Sequence, residues 1–176
     1  ARMFAEVVAL ARGMTVERAD EAFPRLQGVF AGAGVAVVLV KELPRLRCHG
    51  VTRWLSDAKP VIQLCLRYKT ADQLWFSFFH ECCHVLRHGR KRTYIADVAD
   101  MSPEEMDANA FAADTLIPSA DWREFLVSGP LSKASVRSFA VGQGIDPGIV
   151  VGRLQHGKVI PFTHLNELKT RLEWAQ

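Results

Sequence analysis

Apolar residues recur at helical spacing from the start of the chain. Phe4, Val7, Val8 and Ala11 predict one amphipathic helix, and a second over 16–30 stops at Gly32 and Gly34. The pattern then changes. Val35-Ala36-Val37-Val38-Leu39-Val40 is short, wholly apolar and rich in β-branched residues, which predicts a buried strand. Two more strand-like runs, 47–55 and 61–67, flank Ser56-Asp57-Ala58-Lys59-Pro60, a turn by composition. They predict a small three-stranded, mostly antiparallel sheet. The run 61–66 is expected at or beside a cleft, as an edge strand able to pair with an extended peptide.

Past the sheet the period returns to that of a helix. Thr70-Ala71-Asp72-Gln73 reads as a capping box, Gly89 as the residue after the last turn, and Arg87 with the basic run 90–92 as charge at the negative end of the dipole. The predicted helix, 71–88, is ~27 Å long at ~1.5 Å per residue. After a short segment, Thr93-Tyr94-Ile95-Ala96, comes another well-signalled helix. Ser102 and Glu105 form a capping box, Pro103 takes the first helical position and Pro118 marks the stop. Met106, Ala110, Ala113 and Ile117 are expected to face the core. The rest reads as a helical cap over 119–127, 132–141, 147–155 and 165–174. The fold class is α+β and mostly helical. We divide the chain into N-terminal helices (1–34), a core (35–118) and a cap (119–176), read as a single domain. It opens at Ala1 rather than an initiator Met, which leaves room for a further domain upstream.

Composition narrows the classes. A chain of 176 residues, 49% hydrophobic and 23% charged, can bury a sizeable core. A net charge of +3 is too mild to argue for nucleic acid. The stretch 139–145 has some helix-turn-helix spacing, but the helix after it offers only Arg153 as a charge before Gln155, so helical-hairpin packing is expected and direct nucleic-acid binding is not. No run reaches the ~18 apolar residues that a membrane span needs. Four cysteines, two of them adjacent, make no disulfide framework, and a reducing cytoplasm is the expected setting.

The chemistry concentrates in His80-Glu81-Cys82-Cys83-His84. On a helix, His80 and His84 lie ~40° apart and one turn from each other, so both imidazoles can share one metal ion. Glu81 projects to the side, placed to take a proton from water as it attacks a carbonyl. Two His ligands and such a Glu are what peptide hydrolysis at zinc requires. Cys82 and Cys83 read as small buried hydrophobes. His88 lies ~12 Å along the helix from His80, too far to close on the same ion. The third ligand must therefore come from elsewhere. Glu104 and Glu105 are accounted for by the cap and the dipole, which leaves Asp107 as the leading candidate and Asp114, two turns on, as an acceptor for an imidazole N–H. His88, Tyr68, Tyr94 and His156 could each stabilise a developing oxyanion, but none has a spacing argument.

Phe78-Phe79-His80-Glu81-Cys82-Cys83-His84-Val85-Leu86-Arg87-His88, Asp107-Ala108-Asn109-Ala110-Phe111-Ala112-Ala113-Asp114-Thr115-Leu116-Ile117-Pro118 and Val150-Val151-Gly152-Arg153-Leu154-Gln155-His156 together resemble the ImmA/IrrE family of metallopeptidases. The resemblance runs from about Val35 onward and is closest to the branch associated with phage-repressor-like and HigA-type antitoxin regulators. It implies a minimal zincin-like fold, Zn2+ held by His80 and His84, and Glu81 as general base. The acidic residue before Ala-Asn is implied as third ligand, Asp107 here where the family commonly has Glu. It further implies endopeptidase action on a partner helix-turn-helix repressor, encoded separately or upstream. The alternative is a regulatory or antitoxin module that binds metal or a partner without turnover.

Overall fold

The computed structural model describes residues 2–41, 48–88, 93–97 and 102–174. Two N-terminal helices, α1 (Arg2–Gly13) and α2 (Ala19–Gly32), lead into strand β1 (Ala36–Leu39). Strands β2 (Cys48–Trp54) and β3 (Pro60–Leu64) precede helix α3 (Ala71–Arg87), which carries the His-Glu-x-x-His segment. After α3 come β4 (Tyr94–Asp97), α4 (Pro103–Leu116), α5 (Ser119–Val127), α6 (Lys133–Gln143) and α7 (Pro147–His156). The α+β, mostly helical class read from the hydrophobic pattern holds.

The sheet has the order β1-β3-β2-β4. β3 pairs in parallel with β1 and antiparallel with β2, and β4 adds to β2 antiparallel. The fourth strand comes from the short segment that the sequence left unassigned. Its presence moves the edge. β3, expected at the edge beside the cleft, is central, paired with β1 on one side and β2 on the other, and its Ile62 and Leu64 are wholly buried. β1 and β4 are the edge strands of this order, and Tyr94 of β4 reaches His84 on α3.

α3 runs through the middle of the molecule. Its apolar face meets the N-terminal helices through edge-to-face contacts, Phe4 to Phe30 at 5.5 Å and Phe30 to Phe78 at 5.0 Å between ring centroids, with Trp75 and Phe79 extending the cluster. The helix starts where predicted, but Thr70 makes no side-chain cap. Backbone groups of the C-terminal segment tie down this end instead: Ala71 N–H donates to Thr170 O at 2.9 Å, and Leu172 N–H donates to Lys69 O at 2.8 Å. The same bonds account for a second departure. The helix expected over 165–174 is only a short 3-10 turn, Asn166–Leu168, because the backbone beyond it bonds to the start of α3 rather than to itself. At the other end α3 stops at Arg87. Gly89 and the basic run 90–92 lie outside the described residues.

α4 is turned relative to expectation. Its buried side chains are Glu105, Ala108, Ala112 and Leu116, whereas Met106, assigned to the core, is 55% exposed. Ala108 and Ala112 leave the small surface that lets α4 lie close against α3. α6 ends at Gly144, which takes the left-handed conformation (φ 64°) that a glycine adopts without strain, and α7 folds back as the second arm of a helical hairpin. Most of α7 is buried, Ile149 through Gly152 included. Arg12 clamps the ends of α4 and α6, donating from Nε to Thr115 O (2.9 Å) and from Nη1 to Gln143 O (2.8 Å).

Phe78 joins the aromatic cluster to the helix that carries the histidines. Phe78→Ala should cost about 3–5 kcal/mol, the range for truncating a fully buried aromatic, as measured by denaturant unfolding.

Candidate metal centre

His80 and His84 project from one face of α3 with their Nε2 atoms 3.1 Å apart. The carboxylate of Glu105, from the first turn of α4, closes the group: Oε2 lies 2.9 Å from His80 Nε2 and Oε1 3.3 Å from His84 Nε2. All three side chains are buried. Two imidazoles and one carboxylate thus converge on one point, with the chemistry of a divalent-cation site.

The expected third ligand, Asp107, is elsewhere. Its Oδ1 lies 2.7 Å from Arg87 Nη1 and its Oδ2 3.3 Å from His88 Nε2, on the flank of α4. The cause is the turn of the helix. Burying Ala108 and Ala112 against α3 points positions 105 and 109 at the histidines and swings 107 aside. Ser102 does cap the helix, accepting from Glu105 N–H at 3.4 Å, but the Glu105 carboxylate faces the imidazoles instead of closing the predicted box. The local signal that explained Glu105 away was correct for its backbone only. The i, i+4 spacing of Glu105 and Asn109 is the sequence feature that would have found the pair.

Each imidazole is held at its other nitrogen. His80 Nδ1 lies 3.0 Å from Asn109 Oδ1, and His84 Nδ1 lies 2.8 Å from His88 Nδ1. His80 Nδ1 must donate to the Asn109 oxygen; with His84 Nδ1–H likewise donating to His88, a bound cation would replace the Nε2 protons that otherwise bond Glu105. His88 then accepts at Nδ1, carries its proton on Nε2 and donates it to Asp107. Asp107, His88 and His84 form a relay ending at the candidate ligand. Cys83, His88 and Asp107 also bring three ligand atoms within 4.8 Å of one another. In this relay His88 Nε2 is protonated, which excludes it as a ligand to a second ion while His84 Nε2 binds the first.

Asp114, expected to accept from an imidazole, instead takes Ser119 N–H at 2.8 Å and caps the start of α5. Tyr94 stacks on the His84 ring at 4.4 Å and 16°. Tyr68 stacks on His49 and His156 lies near Gln73; both line a cavity that His80 and Glu105 also line. Cys82 and Cys83 are fully buried.

Glu81 is wholly buried against β2. Thr52 Oγ1 donates to its Oε2 at 2.5 Å, while Oε1 has no hydrogen-bond partner among the described residues. Gly50 makes room for it, since a Cβ there would fall 2.4 Å from Oε1. Burial pushes the Glu81 carboxyl up to about 8, against the opposing pull of His80 and Thr52. For Glu105, burial also acts upward, but hydrogen bonds from His80 and His84 outweigh it and bring the carboxyl down to about 2. Burial alone would lower His80, yet its acidic partners raise it; His84 is lowered, by burial first and by the neighbouring histidines. An orphaned buried oxygen beside three converging donors fits a metal site. A cavity of about 870 Å³, lined by His80, Glu105 and Asn109, opens beside it.

A helix bearing His-Glu-x-x-His, crossed by a second helix that supplies a carboxylate and backed by a small sheet, defines a metallopeptidase-type domain. Residues 44–130 match the family model described as the IrrE N-terminal-like domain, Peptidase_M78. These residues thus form a domain of the ImmA/IrrE family of metallopeptidases. No curated protein matches the chain.

Metal titration separates the two acidic residues. Glu105→Ala should abolish stoichiometric binding, whereas Asp107→Ala and His88→Ala, which remove relay members only, should weaken it about 10–100-fold, as read by competition with a chromophoric chelator. A second expectation concerns pH. The folded metal-free protein keeps the Glu81 proton up to about 8, whereas the unfolded chain releases it near the ordinary 4.5, so this group's contribution to stability falls as pH rises between these values. Glu81→Gln should therefore gain thermal stability relative to wild type, without metal, as pH is raised from 5 to 8. A constant difference in Tm across that range would contradict the assignment.

Proposed function

We propose that this protein is a zinc-dependent endopeptidase that cleaves a partner helix-turn-helix transcriptional repressor in the cytoplasm and so switches genes of stress response or mobile elements. The phage-repressor and HigA-type branch is the part of the family we assign it to. The observation that carries the reading is the convergence of His80, His84 and Glu105 beside the unpartnered Oε1 of Glu81. His80, His84 and Glu105 would hold the metal. Zinc in that position supplies a Lewis acid that polarises the scissile carbonyl and acidifies water. Glu81 accepts the proton of the attacking water and returns it to the leaving amine. A cation held beside it would favour the ionised carboxylate that this step needs, and Thr52 fixes its orientation. β4, whose only pairing among the described residues is with β2, offers an edge for an extended peptide.

One observation favours a second reading. Glu81 has no exposed surface, as befits a regulatory or antitoxin module that binds metal or a partner without turnover.

Turnover decides between them. The zinc-loaded domain should cut the repressor encoded beside its gene at one site and leave casein intact, since a short edge strand gains only a few main-chain bonds of about 0.5–1.5 kcal/mol each. Glu81→Gln should keep the metal and the fold and lose cleavage. Mass spectrometry of the products reads both. A repressor left whole at full zinc occupancy supports the non-catalytic module, and cleavage by Glu81→Gln at the wild-type rate removes Glu81 from the mechanism.

A further inference from the structure

Away from His80 and Glu105 the cavity follows the face of α3 formed by Asp72, Phe76 and His80. These residues step by single turns, so the cavity extends ~12 Å from the imidazoles. Its far wall is α7, with Gly152, Arg153 and Gln155, facing Ile117 and Trp122. The charges there do not balance. Asp72 is neutralised by Lys169, whose Nζ lies 2.8 Å from Oδ2, and Gly152 lacks the Cβ that would fall 2.6 Å from that oxygen. Arg153 has no such partner. Its Nη1 donates to Ala113 O at 3.0 Å and to Ile117 O at 2.5 Å, and its guanidinium lies 4.7 Å over the Trp122 ring. Among the described residues no carboxylate pairs with it; burial acts against its charge, and Asp114 supports it only at longer range. Arg171, exposed, lines the same cavity without an ion pair among the described residues. With Glu105 engaged by the imidazoles, two cations without an ion-paired carboxylate among the described residues line this space.

Building on the peptidase reading of the metal centre, we propose that this arm of the cavity is a substrate subsite for a carboxylate, with Arg153 as its specificity-determining residue and Arg171 contributing at the rim. Phe76, Ile117 and Trp122 receive the apolar part of the substrate, and the Nε and Nη2 donors of Arg153 pair with the acid. Stacking on Trp122 and the bonds to the last carbonyls of α4 hold the guanidinium in place before substrate arrives, which lowers the entropic cost of binding. The carboxylate is either an Asp or Glu side chain or the chain terminus of the substrate.

Three series of peptide hydroxamates, each made with one, two or three residues beyond the metal-binding group, test this on the zinc-loaded protein by calorimetric titration. One series ends in Glu-amide, one in Gln with a free C-terminus and one in Gln-amide. An acidic series should bind at least about tenfold tighter than Gln-amide at one length, as a charge-assisted bond in a desolvated pocket gives, and which of the two does so identifies the source of the carboxylate. Arg153→Gln should abolish that preference, so that neither acidic series binds tighter than Gln-amide to the variant. Because Arg153 also binds the end of α4, Arg171→Gln, at an exposed position, serves as a second variant and should narrow the preference several-fold. Equal affinity of all three series at every length in the wild-type protein overturns the subsite. Failure of every hydroxamate to bind would overturn the metal reading beneath it, which is a different result.

Discussion

The close contact of α4 with α3, made by Ala108 and Ala112, is the constraint on which the site depends. Small side chains at those positions let the helices approach until the Glu105 carboxylate touches both imidazoles. A carboxylate taken out of water costs several kcal/mol unless it is paired. Here two histidines more than offset that penalty, so Glu105 stays ionised while Glu81, one residue from His80 but packed on the sheet, is pushed the other way. Two carboxylates on opposite sides of the same histidine pair thereby acquire different protonation behaviour. That separation is what a ligand and a proton carrier need.

α4 also holds the histidines in orientation. Glu105 and Asn109 share its inner face, one meeting Nε2 and the other Nδ1 of His80. Asp107, on the flank, acts on His84 through His88. One helix therefore both completes the donor set and fixes the rings, with Tyr94 of β4 stacked behind His84. A displacement of α4 would loosen the contacts of Glu105, Asn109 and Asp107 together.

The far end of α3 is organised by the C-terminal segment. Thr170 and Leu172 bond to the start of the helix, and Lys169 neutralises Asp72 between α3 and α7. These contacts shape the cavity that begins at the imidazoles and ends at Arg153. The N-terminal helices buttress the opposite side through Phe4, Phe30 and Phe78, so the histidine helix is held on all sides by parts of the chain distant in sequence.

What the chain determined locally is whatever a short window can encode. The period of apolar residues placed six of the helices to within a few residues, the β-branched runs located three strands, and the spacing of His80, Glu81 and His84 placed two imidazoles on one helix face. Ser102, Pro103 and Pro118 located α4. They left its rotation open, because Ala108, Ala110, Ala112 and Ala113 supply alanine on nearly every side and the hydrophobic stripe is ambiguous by about one position. Only packing against α3 chose among these alternatives, and that choice placed Glu105 in the site and Asp107 outside it. The edge of the sheet, the buried position of Glu81 beside Gly50 and the extended path of the C-terminal segment were likewise settled between elements. Each depends on which backbone and side-chain groups meet across long sequence separations, and no local propensity records that.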